Sequence, residues 1–225
     1  MQCDWMNFKF LKYVLNTAGF TKTIILIIKE VLRRTLSFET VSILQFDLTK
    51  NYEIPSASIP LLIKELNNED IETLLPLNEQ GISLNELRIR IERILLIKAQ
   101  IPTCYVCTTL NDEPCAMCWL IEHTSNAMLK SHYKGGLFEL KDKEVLCEGI
   151  YVHNAFRNKK LMQYLTLRLF EKAAKNEAQK AFAFVADTNN VSLKGSKVIG
   201  WEKVGIKEVK WILFNRSITY KMYTS

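Results

Sequence analysis

The chain has 225 residues, of which 48% are hydrophobic, and it carries six cysteines and a formal net charge of +6. This composition supports one well-packed core and excludes an intrinsically disordered chain, and no internal repeat points to a solenoid. The chain opens without the basic and then apolar segment of a secretory leader, so we expect a cytoplasmic protein with reduced thiols.

Charge is distributed unevenly along the chain. Residues 51–150 carry 9 basic and 15 acidic side chains, whereas residues 151–225 carry 14 basic and 5 acidic ones. A basic region of this kind suits a polyanionic ligand. Nucleic acid is one such polyanion, but the lysines are scattered over several predicted elements and no recognition motif accompanies them, so we expect no nucleic-acid partner.

Residues 7–18 and 21–36 have the pattern of two helices. The longest apolar run of the second helix, Ile24 to Ile28, is far shorter than the roughly 20 residues that span a bilayer. We therefore favour a helix that packs on the core or on a second subunit of a homodimer. The alternative is peripheral contact of this helix with a membrane surface, assisted by the cations Lys29, Arg33 and Arg34.

A domain boundary is predicted between Asn51 and Ile59, because this segment contains Pro55 and is followed directly by Pro60. Upstream of it, Val41 to Asp47 predicts a strand. We therefore divide the chain into an N-terminal helical extension with a strand, residues 1–56, and a main domain, residues 57–225.

The main domain opens with a strand predicted over Leu61 to Leu66 and a short helix over Asn68 to Leu75. Acidic side chains in the first turn of that helix suit the helix dipole. A longer helix is predicted from Leu84 to Lys98, because apolar residues recur there at helical spacing. Ser83 and Glu86 form a plausible capping box at its start.

Two strands, Thr103 to Leu110 and Cys115 to Glu122, are predicted to form a hairpin. The hairpin contains two C-x-x-C pairs, which are typical of zinc sites when four thiolates converge. Both pairs lie within strand patterns, and a spacing of three places the two cysteines of a pair on opposite faces of a strand. We therefore interpret these cysteines as small buried side chains and expect no metal site.

A polar loop is predicted over Ser125 to Gly136, followed by a second hairpin of Leu137–Leu140 with Val145–Val152. On this last strand Glu148 is expected to share a face with Leu146, Ile150 and Val152. A carboxylate among apolar neighbours loses solvation, which raises its pKa toward the range of a general base. The alternative is that Glu148 pairs with a lysine or lies at a wet sheet edge.

The turn after this strand, His153 to Lys160, precedes a helical pattern that begins at Leu161. The first N–H groups of a helix have no partner within it, so such a turn is a ready anion site. Arg157, Lys159 and Lys160 add positive charge, and a phosphate or pyrophosphate is the expected ligand. The alternative is a set of solvated surface cations.

Further strands are predicted over Ala181–Ala186, Val204–Phe214 and Ser217–Tyr223. The order of elements is mixed, and one parallel pairing is expected around the central turn. We therefore predict an α+β fold with a mixed, mostly antiparallel central sheet and helices on both faces.

The segment from Val152 to Met162 resembles a motif of the GNAT superfamily, whose acyltransferases use acetyl-coenzyme A. The family pattern is V-x-P-x-x-R-x-x-G-x-G/A at the start of a helix, and here Asn154, Lys160 and Met162 replace the proline and the two glycines. Small residues at those positions would let the backbone approach the pyrophosphate closely. Lys160 can point outward and assist binding, whereas Met162 is expected to narrow the site or shift the cofactor.

A second family pattern, N-x-x-A/S followed by G-F, is similar to Asn189, Ser192, Gly200 and Trp201. The resemblance extends over about residues 59–222 and implies a GNAT-like fold that binds acetyl-CoA as co-substrate. The usual general acid of the family, a tyrosine, is replaced here by Ser196.

The resemblance implies a pantetheine arm beside the strand, a pyrophosphate in the turn and an asparagine that contacts the arm. We assign Glu148 as the general base. The expected coenzyme-binding residues are Ile150, Tyr151, Val152, Arg157, Asn158, Lys159, Lys160, Leu161, Met162, Asn189 and Ser192.

The resulting hypothesis is an N-acetyltransferase that moves an acetyl or other acyl group from coenzyme A to a primary amine of a small molecule or peptide. Two alternatives remain at this point. The domain has lost coenzyme binding and serves as an interaction module, or it transfers longer acyl chains at a membrane surface with the help of its N-terminal helices.

Overall fold

The computed structural model describes residues 8–223, with side chains from residue 11 onward. Asn7, where the first predicted helix begins, and the opening residues used to exclude a leader lie outside this range. The described part forms seven α-helices and eight strands. The helices are α1 (Phe8–Ala18), α2 (Phe20–Thr35), α3 (Asn68–Leu74), α4 (Leu84–Lys98), α5 (Asn126–Tyr133), α6 (Leu161–Lys175) and α7 (Asn190–Val198). The strands are β1 (Leu36–Asp47), β2 (Leu61–Glu65), β3 (Cys104–Thr109), β4 (Pro114–Glu122), β5 (Glu144–Val152), β6 (Lys180–Ala186), β7 (Glu202–Ile212) and β8 (Asn215–Met222).

All eight strands belong to one sheet in the order β2-β3-β4-β5-β6-β1-β7-β8. Neighbouring strands are antiparallel except for β5 and β6, which are parallel. The predicted α+β fold, with a mostly antiparallel sheet and one parallel pairing near the central turn, is therefore confirmed.

Two apolar clusters cover the two faces of the sheet. On the α4-side face, Leu87 and Ile91 of α4 are buried in one cluster with Trp119 of β4. On the α6-side face, Phe170 of α6 packs against Phe46 and Trp201 with ring centroids 4.9 and 5.3 Å away. Each such buried side chain stabilises the fold by about 2 kcal/mol, so the helices hold the sheet from both sides.

The N-terminal segment contributes a central strand. Val41–Asp47 of β1 pairs with β6, and residues from Leu36 to Gln45 pair with β7. The strand predicted at Val41 is therefore present and begins five residues earlier. The predicted division of the chain into two units at residue 56 stays a prediction. Strands from both sides of that position belong to the same sheet.

Two predicted elements between β4 and β5 were wrong. The expected polar loop contains α5, because Leu129 and Tyr133 are one helical turn apart and both are buried. Leu140 lies in no strand: the Asn126 side chain donates to its carbonyl oxygen (2.8 Å) and accepts from its N–H (3.0 Å). With these backbone groups satisfied by a side chain, the predicted hairpin partner of β5 is replaced by β4 and β6.

The cysteines of β3 and β4 are packing residues. Cys107, Cys115 and Cys118 are buried in the α6-side cluster, and Cys104 packs on the other face. Cys115 and Cys118 thus share a face, contrary to expectation, since the register of β3 and β4 shifts next to Cys107. Within residues 8–223 the cysteines are free thiols and no cluster of three or more potential ligands could hold a metal ion.

Candidate active site

A cleft opens where β5 and β6 separate. Their parallel pairing covers only Glu144–Leu146 of β5 and residues 180–182 of β6, although the strands continue to Val152 and Ala186. Beyond that point the edge of β5 that faces β6 is released from the ladder. An extended molecule can therefore lie beside β5 and pair with its backbone, as an added strand does.

A β-bulge at Gly149 accompanies this separation. Trp119 pairs with Glu148 and Met117 with Tyr151, so two residues of β5 lie opposite one residue of β4. Gly149 has a φ of 65°, and a Cβ there would lie 2.6 Å from the Trp119 ring. Both the conformation and the close packing require glycine.

The bulge corrects the predicted faces of β5. Glu148 shares the α4-side face with Leu146 and Tyr151, whereas Ile150 and Val152 pack toward the α6-side cluster. The strict alternation assumed from the sequence ends at the bulge, because one extra residue moves every later side chain to the other face.

Glu148 lies opposite Trp119 with 9% of its surface exposed. Burial raises the pKa of its carboxyl, although the charge of Arg93 and a hydrogen bond from the Gly149 N–H act in the opposite direction. The negative charge of Glu92 adds to the increase. A carboxylate with a raised pKa is a stronger base, which suits it to accept a proton.

The turn between β5 and α6 offers an anion site. Lys160, at the N-cap of α6, adopts the left-handed conformation with a φ of 59°, and Asn158 has a φ of 64°. The Lys160 side chain makes no capping hydrogen bond, and the first turn of α6 contains no acidic residue. The first N–H groups and the positive end of the helix dipole are thus available to an anion at the C-terminal end of β5.

The two residues that replace the glycines of the family pattern are accommodated differently. Lys160 takes the positive φ that glycine would adopt, at a cost of about 1 kcal/mol. Met162 packs toward α7, where a Cβ at Gly195 would lie 2.6 Å from its Cε. The adjacent Leu161 is buried, so only its backbone N–H can serve a ligand.

Arg157 links the turn to α4. Its Nη2 donates to Glu86 Oε2 (2.7 Å), and its Nε lies 3.4 Å from the carbonyl oxygen of Val152. About half of the side chain is exposed. Arg157 therefore fixes the turn and still presents positive charge beside the start of α6.

A buried polar network continues from Glu86 beneath β5. The Tyr151 hydroxyl donates to Glu86 Oε1 (2.6 Å) and accepts from Arg90 Nε (3.0 Å). Arg90 is fully buried, donates to the Pro76 carbonyl oxygen (2.6 Å) and pairs with Glu79 (2.5 Å). The Tyr151 side chain thus lies on the α4-side face of the sheet, and only the Tyr151 backbone borders the cleft.

The network sets the charge states of its members. Burial alone would raise the pKa of Glu86, but hydrogen bonds from Tyr151 and Arg157 and the charges of Arg157 and Arg90 outweigh it, and the pKa is lowered. Burial and the Glu86 carboxylate raise the pKa of Tyr151. Glu86 therefore stays ionised and Tyr151 stays protonated at neutral pH.

Sequence reasoning missed this network. The Ser83 hydroxyl accepts from the Glu86 N–H (3.1 Å) as predicted for the cap, but the Glu86 carboxylate turns to Tyr151 and Arg157 instead of closing a capping box. The signal was present: Glu86 and Arg90 are four residues apart, directly beside the apolar positions of α4.

Asn189 and Ser192 border the cleft from the side of β6. Asn189 is the N-cap of α7, and its Oδ1 accepts from the Ser192 N–H (3.2 Å). Ser196, one turn further along α7, is buried. Glu148, the turn at Lys160 and the start of α7 are thus all placed around the point where β5 and β6 separate.

Residues 70–194, more than half of the chain, match the model of the acetyltransferase (GNAT) family. The chain belongs to the GNAT family. Members of this family transfer an acyl group from coenzyme A to an amine, and the resemblance noted in the sequence is confirmed. A comparison with curated protein sequences found no match to this GNAT protein.

Solved structures support the same fold at low sequence identity. The chain is similar to a Drosophila protein (16% identity, 85% of this chain and 58% of that chain, TM-score 0.51). It is also similar to the GCN5-related glucosamine N-acetyltransferase region of a fungal multi-domain GH3 β-N-acetylglucosaminidase (11% identity, 86% and 23%, TM-score 0.55). A conserved protein of unknown function from Staphylococcus epidermidis is a third (8% identity, 81% and 65%, TM-score 0.50). This chain therefore spans between about a quarter and two thirds of those structures.

Proposed function

We propose that this GNAT protein is an acyl-CoA-dependent N-acyltransferase that acetylates a primary amine, with Glu148 as its general base. The observation that carries the proposal is the bulge at Gly149, which accompanies the separation of β5 from β6 and lies next to a buried carboxylate of raised pKa. The acceptor is an amine of a small molecule or a peptide.

The chain offers a place for each part of the co-substrate. The backbone of Ile150, Tyr151 and Val152 would pair with the pantetheine arm, and Asn189 with Ser192 would border it from α7. The pyrophosphate would bind at the N–H groups of the turn and the start of α6, which are uncapped by any side chain. The residues of that anion site are Arg157, Asn158, Lys159, Lys160, Leu161 and Met162.

The lysine in place of a glycine is compatible with this assignment. Lys160 forms the required left-handed turn, and its side chain adds charge beside Lys159. The end of the Met162 side chain occupies the space beside Gly195 that a Cβ would otherwise fill. These two observations favour a functional coenzyme site over a domain that has lost it.

The chemical step is amine attack on a thioester. Acetyl-CoA supplies an acetyl group activated as a thioester. Glu148, directly or through a water molecule, accepts the proton that the amine loses while the new N–C bond forms. A backbone N–H near Val152 would stabilise the oxygen charge of the tetrahedral intermediate. The C–S bond then breaks, the leaving thiolate takes a proton from water to become the free thiol, and Glu148 releases its proton to the solvent.

Calorimetric titration with acetyl-CoA, with free CoA as a control ligand, tests the coenzyme assignment. We expect micromolar binding that weakens about tenfold in Arg157→Ala, because the cation and the order of the turn are both lost. Lys175→Ala removes a charge from the other end of α6 and is the matched control. Ser192→Trp should obstruct the cleft, whereas Val198→Trp on the exposed end of α7 should not.

The binding of acetyl-CoA and of longer acyl-CoAs to the wild-type protein distinguishes the N-acetyltransferase from the two alternative functions. If millimolar acetyl-CoA and longer acyl-CoAs all fail to bind the wild-type protein, the enzyme proposal is wrong and the interaction module is favoured. If the longer acyl-CoAs bind more tightly than acetyl-CoA, a longer-chain acyltransferase is favoured. Binding followed by amine-dependent release of the CoA thiol would support N-acetylation.

A further inference from the structure

One end of the sheet carries a dense group of exposed apolar side chains. It is built by the end of α2, the start of β1 and the turn between β7 and β8. The N–H groups of Leu213 and Phe214 donate to carbonyl oxygens of Thr35 and Arg34 at 2.9 and 2.8 Å, which joins the turn to α2. More than half of each side chain is exposed, and we call the group the apolar tip: Leu32, Leu36, Phe38, Ile212, Leu213 and Phe214.

The turn at the apolar tip has unusual residues for its backbone. Leu213 and Phe214 connect β7 and β8 directly, with φ values of 46° and 67°. Two-residue hairpin turns with two positive φ values favour Asn-Gly, because bulky residues are strained there. Leucine and phenylalanine therefore oppose local folding at this turn, and being exposed they gain little burial in return.

The surroundings of the apolar tip are basic. Residues 29–40 and 208–219, which build this end of the sheet, carry five basic and three acidic side chains. All three acids are ion-paired: Glu30 with Arg33 and Arg34, Glu39 with Arg33, and Glu208 with Lys221. The field around the apolar tip is thus positive, which complements an anionic surface.

The apolar tip lies at the same end of the sheet as the mouth of the cleft. β1 runs antiparallel to β6, and Val41 lies opposite Ala186 at the C-terminal end of β6. Leu36 is five residues beyond Val41, which is about 17 Å in an extended strand. A surface that contacts the apolar tip would therefore face the opening between β5 and β6.

We propose that the apolar tip docks on an anionic lipid bilayer, with Leu213 and Phe214 inserted among the acyl chains and the cations at the headgroups. No helix within residues 8–223 is long and apolar enough to cross a membrane, so the contact is peripheral. A second copy of the chain is a poor occupant, because pairing through the same surface would bring two positive fields together. This proposal concerns the outer surface and is independent of the assigned catalytic residues.

Vesicle flotation of the full chain tests the docking. We expect the protein to float with vesicles of phosphatidylcholine and phosphatidylserine, more weakly with phosphatidylcholine alone, and less as salt is added. The variant Leu213→Asn/Phe214→Gly should bind at least about tenfold more weakly, because two apolar side chains are lost. It suits the turn, so it should remain folded.

Leu62→Ser/Leu110→Ser is the matched control, since both leucines are more than half exposed at the other edge of the sheet. This control should float like the wild type. Equal flotation of the turn variant, or no flotation of the wild type with anionic vesicles, would overturn the proposal. Concentration-dependent dimerisation that disappears in the turn variant would also overturn it and identify the tip as a homodimer interface.

Discussion

The cleft and the apolar tip depart from the usual rule of burial in opposite directions. Beside the cleft, Glu86, Arg90 and Glu148 are charged or ionisable groups that the fold buries. At the tip, Leu213 and Phe214 are large apolar side chains that the fold exposes at strained backbone positions. Neither arrangement is the one that hydrophobic burial alone favours.

The buried groups themselves differ. Glu86 is fully partnered by Tyr151, Arg90 and Arg157, and its pKa is lowered, whereas the pKa of Glu148 is raised by burial. Two carboxylates on the same side of β5 are thus held toward opposite protonation states. Removal of Glu86 should therefore reduce stability. Removal of Glu148 or of the apolar tip should instead reduce function without reducing stability.

The largest expected effect is that of Glu86→Ala on stability. The substitution leaves the fully buried Arg90 without one of its partners and detaches Arg157 from α4, so the free energy of unfolding should fall by about 3 kcal/mol. Urea unfolding followed by circular dichroism measures the change. Glu92→Ala on the same helix, which loses partly exposed ion pairs with Arg88 and Arg93, should cost under about 1 kcal/mol.

A double variant sharpens the interpretation of Glu86. Replacing the pair by apolar residues in Glu86→Leu/Arg90→Met should recover much of the lost stability, because the penalty comes from an unpaired buried charge. If the double variant is as unstable as Glu86→Ala, the network stabilises the fold through its geometry instead of its charge balance.

Glu148→Gln should have the opposite effect to Glu86→Ala, because it should reduce turnover without reducing stability. Turnover should fall about a hundredfold because the proton acceptor is lost, while the affinity for acetyl-CoA remains unchanged. The free energy of unfolding at neutral pH should stay the same or rise, since an ionised carboxylate no longer needs to be buried. Thiol-release kinetics and thermal unfolding provide the two readouts. Unchanged turnover would remove Glu148 from the mechanism.

The pH dependence provides a finer test of Glu148. Because its folded-state pKa is raised above the unfolded value, its contribution to stability is greatest below the unfolded pKa and is lost as pH rises through the folded pKa. The stability advantage of Glu148→Gln should therefore grow with pH. Over the same range kcat/KM of the wild type should rise about tenfold per pH unit until the carboxyl is ionised. A flat profile would contradict a buried base.

Much of the fold could be predicted from local patterns. The strand, turn and helix from β5 to α6 follow from alternation, a polar turn and helical spacing, and the ends of α4 agree with its predicted bounds. The interior of β1 was recognised too, but not its place between β6 and β7. Pairing of β1 with strands far along the chain depends on tertiary contacts that no local pattern reports.

The site was less predictable because one residue altered its geometry. Strict alternation places Glu148, Ile150 and Val152 on one face of the strand. The bulge at Gly149 instead moves Tyr151 to the face of Glu148. The resulting contact of Tyr151 with Glu86 joins residues 65 positions apart. A glycine inside a strand pattern was the available signal for a bulge, but the identity of the partner required the folded chain.

The smallest expected effect concerns stability at the apolar tip. Leu213→Asn/Phe214→Gly should raise the free energy of unfolding by about 1 kcal/mol, because asparagine and glycine tolerate the positive φ values that strain the native residues. Thermal and urea unfolding would measure the gain, and Leu110→Gly, at an exposed position without a positive φ, should instead lose stability. A rise in the free energy of unfolding would show that Leu213 and Phe214 destabilise the fold, as the burial of Glu148 is expected to do. A loss would mean that Leu213 and Phe214 pack usefully within the chain, and the parallel between the tip and the cleft would fail.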